Sequence, residues 1–397
     1  MSQAFIVDAL RTPIGNVGGA LATVRPDDLA ALVIATLVKR NHLEGIPIDD
    51  VFMGCANQAG EDNRNVARMA TLLADLPPET PAVTVNRLCG SGLEAVIEGC
   101  RAVIAEEADI VIVGGVESMS RAPWVLPKPD DKGIRKDQTL YDTTLGWRMV
   151  NPKMIARGYD PITLGETAEN VAQKFGISRL EQDEWALRSH QRAQDAWHQG
   201  FFYDEVIPVD IQDENFFYDE HIRLDTSLEK LSRLRPAFRQ PGTVTAGNSS
   251  GINDGAAAIL VASENAVKRY QWKPLAKYVA SAAFGVHPNY MGIGPIPATR
   301  KLLSRTPYSL QDVGTIELNE AFAAQVLAVI KELELNPNLV NPQGGAIALG
   351  HPLGCSGARI VTTLVHRMRR EDIGLGLATL CIGVGQGLSM LVELQHA

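Results

Sequence analysis

The chain repeats one pattern in its two halves: a strand, a glycine-rich turn and a helix with one apolar face. The turn is Leu88-Cys-Gly-Ser-Gly in the first copy and Leu353-Gly-Cys-Ser-Gly in the second, and the two Ser-Gly pairs lie 265 residues apart. A glycine-rich strand end follows each helix, with Val116 opposite Cys381 at the same offset. The repeat predicts two homologous α/β halves related by a pseudo-twofold axis.

Apolar runs such as Ile110–Gly115 alternate with helical patterns, which predicts a parallel sheet covered by helices on both faces. Upstream of the turns, an offset of 262 residues pairs Asn57 with Asn319. The stretch from Ser118 to Asn248 is richer in charged and aromatic residues and interrupts the first copy. We therefore expect an N-terminal half (residues 1–118 plus 249–272), an inserted loop domain (119–248) and a C-terminal half (273–397).

Charge and cysteine usage exclude several classes of protein. The formal net charge of -9 argues against nucleic-acid binding, which needs a basic face. Five cysteines, odd in number and without a CxxC pair, indicate neither a disulfide framework nor a zinc site, and they suit a reducing, cytoplasmic compartment. No apolar segment reaches the roughly 18 residues that a membrane span requires.

Cys89 lies at the turn between a buried strand and a helix. Orphan backbone N–H groups and the positive end of the helix dipole at such a turn favour a thiolate, the nucleophilic form of cysteine. The pseudo-twofold axis brings equivalent strand ends together, so we expect Cys89 of the first half to meet His351 and Cys381 of the second.

Several motifs, in order, make the chain resemble the thiolases, and the resemblance covers essentially its whole length. They are Arg11-Thr-Pro-Ile-Gly, Asn86-Arg-Leu-Cys-Gly-Ser-Gly, Gly114-Gly-Val-Glu-Ser-Met-Ser, Thr243-Val-Thr-Ala-Gly-Asn, Asn319-Glu-Ala-Phe-Ala, Gly344-Gly-Ala-Ile-Ala-Leu-Gly-His351-Pro and Cys381-Ile-Gly-Val-Gly-Gln-Gly. The resemblance implies the thiolase fold, a five-layer α-β-α-β-α sandwich of two halves with a loop domain over the active site.

The resemblance also implies a role for each catalytic group. Cys89 would be the nucleophile that carries the acyl group, His351 the base that takes its proton, and Cys381 the acid/base at the α-carbon. One oxyanion site is expected at His351 with a water held by Asn319. A second is expected at the backbone N–H groups of Cys89 and Gly383.

Coenzyme A is implied as a substrate, with no tightly bound cofactor and no metal. By motif position, Ser250 would hydrogen-bond the pantetheine, Ala321 and Phe322 would line its channel, and Arg223 would contact the nucleotide. Thr163 and Leu164 replace the His-Met pair that the family often has in the loop domain. The family also implies a homodimer or homotetramer, and a partner in a β-oxidation complex stays open.

Two substrate classes compete. Tyr218-Asp-Glu-His-Ile-Arg and the C-terminal third resemble degradative fatty-acid 3-oxoacyl-CoA thiolases, which gives the main interpretation: cleavage of 3-oxoacyl-CoA by CoA in β-oxidation. Asp142-Thr-Thr-Leu-Gly-Trp-Arg148 and the stretch from Gly54 to Arg68 instead resemble β-ketoadipyl-CoA thiolases, for whose dicarboxylic acyl chain Arg148 is a candidate cation. An acetoacetyl-CoA-specific acetyltransferase is a further alternative.

Two remote alternatives belong to other classes. Gly247-Asn-Ser249-Ser-Gly251 matches the nucleophile elbow of serine hydrolases, with Asp254 and His351 in triad order, but an apolar strand follows it where a helix is required. A non-catalytic acyl-CoA binder would be expected to have lost one of the catalytic groups, and none is missing.

Overall fold

The structure, a computed structural model, describes residues 2–129 and 137–396. Residues 130–136 of the predicted insert lie outside the described residues. The strands are β1 (Ala4–Arg11), β2 (Gly15–Asn16), β3 (Asp50–Gly54), β4 (Ala82–Val85), β5 (Ile110–Ser118), β6 (Trp124–Val125), β7 (Tyr141–Asp142), β8 (Val209–Ile211), β9 (Glu214–Phe216), β10 (Asn253–Ser263), β11 (Ala276–Gly285), β12 (Thr315–Leu318), β13 (Leu375–Ile382) and β14 (Gln386–Leu394). The α-helices are α1 (Pro26–Arg40), α2 (Val66–Leu73), α3 (Ser91–Ile104), α4 (Pro152–Ala156), α5 (Leu164–Phe175), α6 (Arg179–His198), α7 (Leu228–Ser232), α8 (Glu264–Tyr270), α9 (Pro295–Leu303), α10 (Ala323–Leu333), α11 (Ala346–Leu349) and α12 (Leu353–Glu371).

The central sheet has the strand order β12-β13-β14-β11-β1-β10-β5-β3-β4. Its two outer parts are parallel, since β3 pairs with β4 and β5, and β12 pairs with β13. The strands between them pair antiparallel, so the prediction of a parallel sheet is wrong at the centre. A three-residue turn joins β13 to β14, and so short a connection can join only antiparallel neighbours.

The repeat is visible in the strand register. Asp50 of β3 pairs with Val111 of β5, and Thr315 of β12 pairs with Gly376 of β13, so both pairs are related by the same 265-residue offset. This register makes Gly54, three residues before Asn57, the equivalent of Asn319. The predicted pairing of Asn57 with Asn319 is therefore wrong by three residues, although the 265-residue repeat is present.

Helices α3 and α12 pack against each other and against both halves of the sheet, and they form the middle layer. Glycine lets them approach closely. A Cβ on Gly357 would lie 2.1 Å from the backbone nitrogen of Leu93, and one on Gly92 would lie 2.6 Å from the carbonyl oxygen of Gly354. No larger residue fits such contacts between backbones. The two Ser-Gly turns of the repeat therefore meet at the centre of the molecule.

Separate apolar clusters fill the other layers. Helices α1 and α2 cover the outer face of the first half, and α9 and α10 cover the outer face of the second. Along β5, β10 and β13, the residues that face these outer helices alternate with those that face α3 and α12, as expected for strands that are buried on both faces. The resulting order of layers is the predicted α-β-α-β-α sandwich.

The segment between β5 and β10 contributes helices α4 to α7 and two short hairpins rather than strands of the central sheet. It is tied to β1 by Arg11, which is fully buried and forms ion pairs with Glu205 at 2.6 Å and Asp219 at 2.7 Å. The three domain boundaries given above stay a prediction. Among the described residues, no helix is both long and apolar enough to cross a membrane.

Candidate active site

Cys89 lies in the turn between β4 and α3, directly after Leu88, whose φ is +49°. The thiol is buried, and burial raises its pKa, while the N–H groups of Gly383 and of Cys89 itself act in the opposite direction. The expectation that the helix terminus would favour a thiolate is thus corrected, because loss of solvation outweighs the backbone dipoles. The sulfur needs a base to become a nucleophile.

His351 is held as a neutral base. Its Nδ1 lies 2.6 Å from Ser356 Oγ, and the Ser356 hydroxyl donates its own proton to the carbonyl oxygen of Pro352 at 2.8 Å. Nδ1 therefore carries the hydrogen, which leaves the lone pair on Nε2 as the proton acceptor of the ring. Burial, followed by the nearby charge of Arg359, lowers the pKa of His351 to about 4.

Asn319 lies behind His351, at the end of β12. Its Nδ2 is 3.4 Å from Nε2 of His351, and its backbone N–H donates to the carbonyl oxygen of Thr379. The side chain is completely buried, and its Oδ1 has no hydrogen-bond partner among the described residues. A buried amide oxygen left in this way needs a polar ligand, which fits the predicted water site.

Cys381 lies near the end of β13 and is also buried. Burial raises the pKa of its thiol, and negative charge on Cys89 raises it further, so the two sulfurs interact. Because ionisation of one thiol disfavours ionisation of the other, Cys381 keeps its proton when Cys89 loses its own. A protonated thiol beside a nucleophilic sulfur can act as the acid of the reaction.

A cavity of about 650 Å³, which we name the large cavity, brings most of the predicted site together. It is lined by Cys89, His351, Cys381, Arg223, Ser250, Ala321, Phe322 and Leu164. Arg223 is exposed at its rim, and Thr163, beside Leu164, caps helix α5 through a bond with the backbone of Glu166. The hydroxyl of Thr163, which stands where the family often has a histidine, thus accepts a hydrogen bond from the first turn of α5. The roles predicted for these residues stay predictions.

A second cavity of about 350 Å³, the small cavity, also has Cys89 in its lining. Gly383, the remaining predicted residue, lines it, as do Leu88, Trp147, Arg148 and Val384. Arg148 is half-buried, and its guanidinium makes no ion pair or hydrogen bond with any described residue. Among the described residues that line this cavity, it is the one cationic side chain.

Glu117 is a site residue that the sequence did not single out. Its carboxylate accepts backbone N–H groups from Ala56 at 2.9 Å, Asn57 at 3.0 Å and Gly354 at 2.8 Å, and burial raises its pKa to about 7. It therefore connects the first half to the beginning of α12 in the second. The sequence feature that could have identified Glu117 is an acidic residue at the end of an apolar run, since charged residues are rare in a fully buried strand such as β5.

The predicted elements of a serine hydrolase do not meet. Ser249 donates its hydroxyl to the carbonyl oxygen of Thr245 at 2.7 Å, and Asp254 accepts a hydrogen bond from Ser120. Strand β10, not a helix, follows the Gly-x-Ser-x-Gly stretch. His351 is bonded to Ser356 instead, so these residues do not form a triad.

Family models of the thiolase N-terminal domain and the thiolase C-terminal domain match residues 4–265 and 272–394. The chain belongs to the thiolase family. This thiolase is therefore a CoA-dependent acyltransferase with the thiolase fold. The large and small cavities share Cys89 among their lining residues.

Curated relatives align with this thiolase over nearly its full length. A β-ketoadipyl-CoA thiolase of Pseudomonas knackmussii is 52% identical, with 98% of this chain and 99% of that protein covered. A 3-oxoadipyl-CoA/3-oxo-5,6-dehydrosuberyl-CoA thiolase of Escherichia coli is also 52% identical, with 99% and 100% covered. The crystal structure of human mitochondrial 3-ketoacyl-CoA thiolase in complex with CoA matches with a TM-score of 0.94 at 40% identity, covering 99% and 98% of the two chains.

Proposed function

We propose that this thiolase cleaves 3-oxoacyl-CoA esters whose acyl chain ends in a carboxylate, with 3-oxoadipyl-CoA as the representative substrate. The products would be acetyl-CoA and, from a six-carbon chain, succinyl-CoA. The names of the relatives from Pseudomonas knackmussii and Escherichia coli support this class of substrate. They favour the alternative interpretation of the sequence over fatty-acid β-oxidation.

Arg148 is the observation that carries the proposal. Arg148 lines the small cavity together with Cys89, which would carry the acyl group. An unpaired guanidinium in a partly buried cavity is suited to bind a carboxylate through two parallel hydrogen bonds. Glu117, the one acid among the described residues of the lining, accepts three backbone N–H groups, and burial favours its neutral form, so it competes little for Arg148.

The first half-reaction uses residues of both halves. Nε2 of His351 takes the proton of Cys89, whose sulfur then attacks the 3-keto carbon of the substrate. The oxyanion formed there is stabilised by donors at the site, and the bond between C2 and C3 breaks. The enolate of acetyl-CoA takes the proton of the Cys381 thiol at its α-carbon, which leaves an acyl group on Cys89.

The second half-reaction returns the enzyme to its starting state. Free CoA enters the large cavity, and its thiol gives up a proton to the Cys381 thiolate as its sulfur attacks the acyl carbon. Cys89 leaves as the thiolate and recovers the proton held by His351. The N–H groups of Cys89 and Gly383, which favour the negative charge of the Cys89 thiolate, are suited to stabilise the oxyanion of this step.

Thiolysis rates on four substrates test the proposal. We expect kcat/KM to be highest for 3-oxoadipyl-CoA and at least tenfold lower for 3-oxohexanoyl-CoA, which has the same length but no distal carboxylate. Acetoacetyl-CoA and 3-oxohexadecanoyl-CoA test the acetyltransferase and long-chain alternatives. A higher value for either of them would refute the proposal. Mass spectrometry of an acyl adduct on Cys89 separates an enzyme from an acyl-CoA binder.

The assembly and the compartment are part of the proposal. Strand β4 lies at the edge of the central sheet with Val83 exposed, so a second copy can pair there in a homodimer, from which a homotetramer can be built. The five cysteines are free and buried, which supports a reducing compartment such as the cytoplasm. Light scattering that gave the mass of a single 43.0 kDa chain would refute the oligomer.

A further inference from the structure

The turn between β13 and β14 contains a strained residue at the wall of the small cavity. Val384 has φ +65°, and of the described non-glycine residues with φ in the left-handed region it is the only β-branched one. β-Branched side chains are the least suited to this conformation. Strain of this kind is held by the surrounding structure and is concentrated at ligand sites.

Two anchors fix the backbone on either side of Val384. On one side, Ile382 pairs with Gln386 across the turn, and its carbonyl oxygen accepts the N–H of Gly385 at 3.2 Å. On the other, the carbonyl oxygen of Gly385 accepts the N–H of Val286 at 2.8 Å, and a Cβ on Gly385 would lie 2.3 Å from the carbonyl oxygen of Val286. The turn cannot relax without moving one of these contacts, so Val384 keeps its unfavourable φ.

Val384 also separates two spaces. One is the small cavity of about 350 Å³, and the other is a groove of about 510 Å³ lined by Met154, Tyr159 and His287 among others. Val384 lines both. The side chain is 41% exposed, so its surface borders open space rather than core. A glycine there would fit the backbone better but would leave the two spaces joined.

We infer that Val384 limits the length of the acyl chain by closing the small cavity against this groove. The inference rests on the proposed function only in taking the small cavity as the acyl site. It adds a steric limit on length to the recognition of a terminal carboxylate by Arg148. Chains longer than the small cavity are excluded by the isopropyl group of Val384, which also lines the groove.

The test compares V384G with V384N across 3-oxohexanoyl-, 3-oxooctanoyl- and 3-oxododecanoyl-CoA. Glycine removes both the strain and the wall, whereas asparagine tolerates the left-handed conformation and keeps a side chain of similar bulk. We expect V384G to raise the ratio of kcat/KM for the twelve-carbon substrate over the six-carbon one by at least about tenfold, mainly through KM, because single methylenes can change discrimination to that extent. V384N should stay within about threefold of the wild-type ratio.

Two outcomes would overturn the inference. An equal rise in both variants would assign the effect to the backbone of the turn, and no rise in V384G would mean that Val384 is not the limiting wall. A uniform loss of kcat through displacement of Gly383 leaves the ratio unchanged and so counts as no rise. Preference for 3-oxoadipyl-CoA over 3-oxohexanoyl-CoA, at equal length, is measured separately, so failure of the proposed function is distinguishable from failure of the length limit.

Discussion

Replacement of Arg148 by methionine tests carboxylate recognition most directly. The change keeps an unbranched side chain of similar length but removes the charge and the paired donors from the small cavity. Hydrogen bonds to charged groups contribute about 1.5–3 kcal/mol, which at 1.4 kcal/mol per tenfold is about 10- to 140-fold. Because Arg148 is only half-buried, solvent screening favours the lower part of this range, about 10- to 50-fold.

The assay is thiolysis of 3-oxoadipyl-CoA and 3-oxohexanoyl-CoA at fixed ionic strength, with kcat/KM compared for each enzyme. We expect the loss in Arg148→Met for the dicarboxylic substrate, with less than about threefold change for the monocarboxylic one. Arg148→Lys should lie between the wild type and Arg148→Met, since it keeps the charge but loses the paired geometry. Equal losses on both substrates would refute the reasoning, because Arg148 would then support the cavity without reading the carboxylate.

A matched control is available nearby. Arg157 follows α4 in the same segment and is exposed, and it does not line the small cavity. Arg157→Met makes the same chemical change and should leave the ratio of the two substrates within about twofold of the wild type. If Arg157→Met lowered the ratio as much as Arg148→Met, the effect would come from the net charge of the protein rather than from the cavity.

Three further predictions concern the base, its orientation and the loop-domain anchor. With the pKa of His351 at about 4, the imidazole stays neutral as the pH falls from 8 to 6. The rate of Cys89 acylation, measured by stopped-flow, should therefore decline only towards pH 4. A half-maximal rate near pH 6.5 would contradict this. Ser356→Ala removes the acceptor that keeps the proton on Nδ1 and should lower kcat about 2- to 12-fold, with partial recovery in Ser356→Thr and little change in the KM for CoA. Arg11→Met leaves two buried carboxylates without their cation and should lower the free energy of unfolding, measured by urea titration, by about 3–5 kcal/mol. A change below about 1 kcal/mol would mean that the carboxylates find other partners.

The sequence by itself determined the two-half plan and most of the site. The 265-residue offset is present both in the Ser-Gly turns and in the register of β3/β5 and β12/β13. Local periodicity and turn chemistry depend on residues that are close in the sequence, so they can be predicted without knowledge of the tertiary structure. The repeat then implies that Cys89, His351 and Cys381 meet, and all three line the large cavity.

The tertiary structure decided what depends on distant parts of the chain. The antiparallel centre of the sheet is set by the strands that follow the insert, and the raised pKa of the Cys89 thiol comes from burial by both halves. Arg148 lies 59 residues beyond Cys89, and only the packing of the loop segment brings it to the same cavity. The left-handed conformation of Val384 follows from hydrogen bonds of Gly385 to Ile382 and to Val286. Solvation and strain belong to the assembled environment of a group. Residue types and spacing therefore single out Cys89, while the fold sets the ionisation of its thiol and the shape of the cavity beside it.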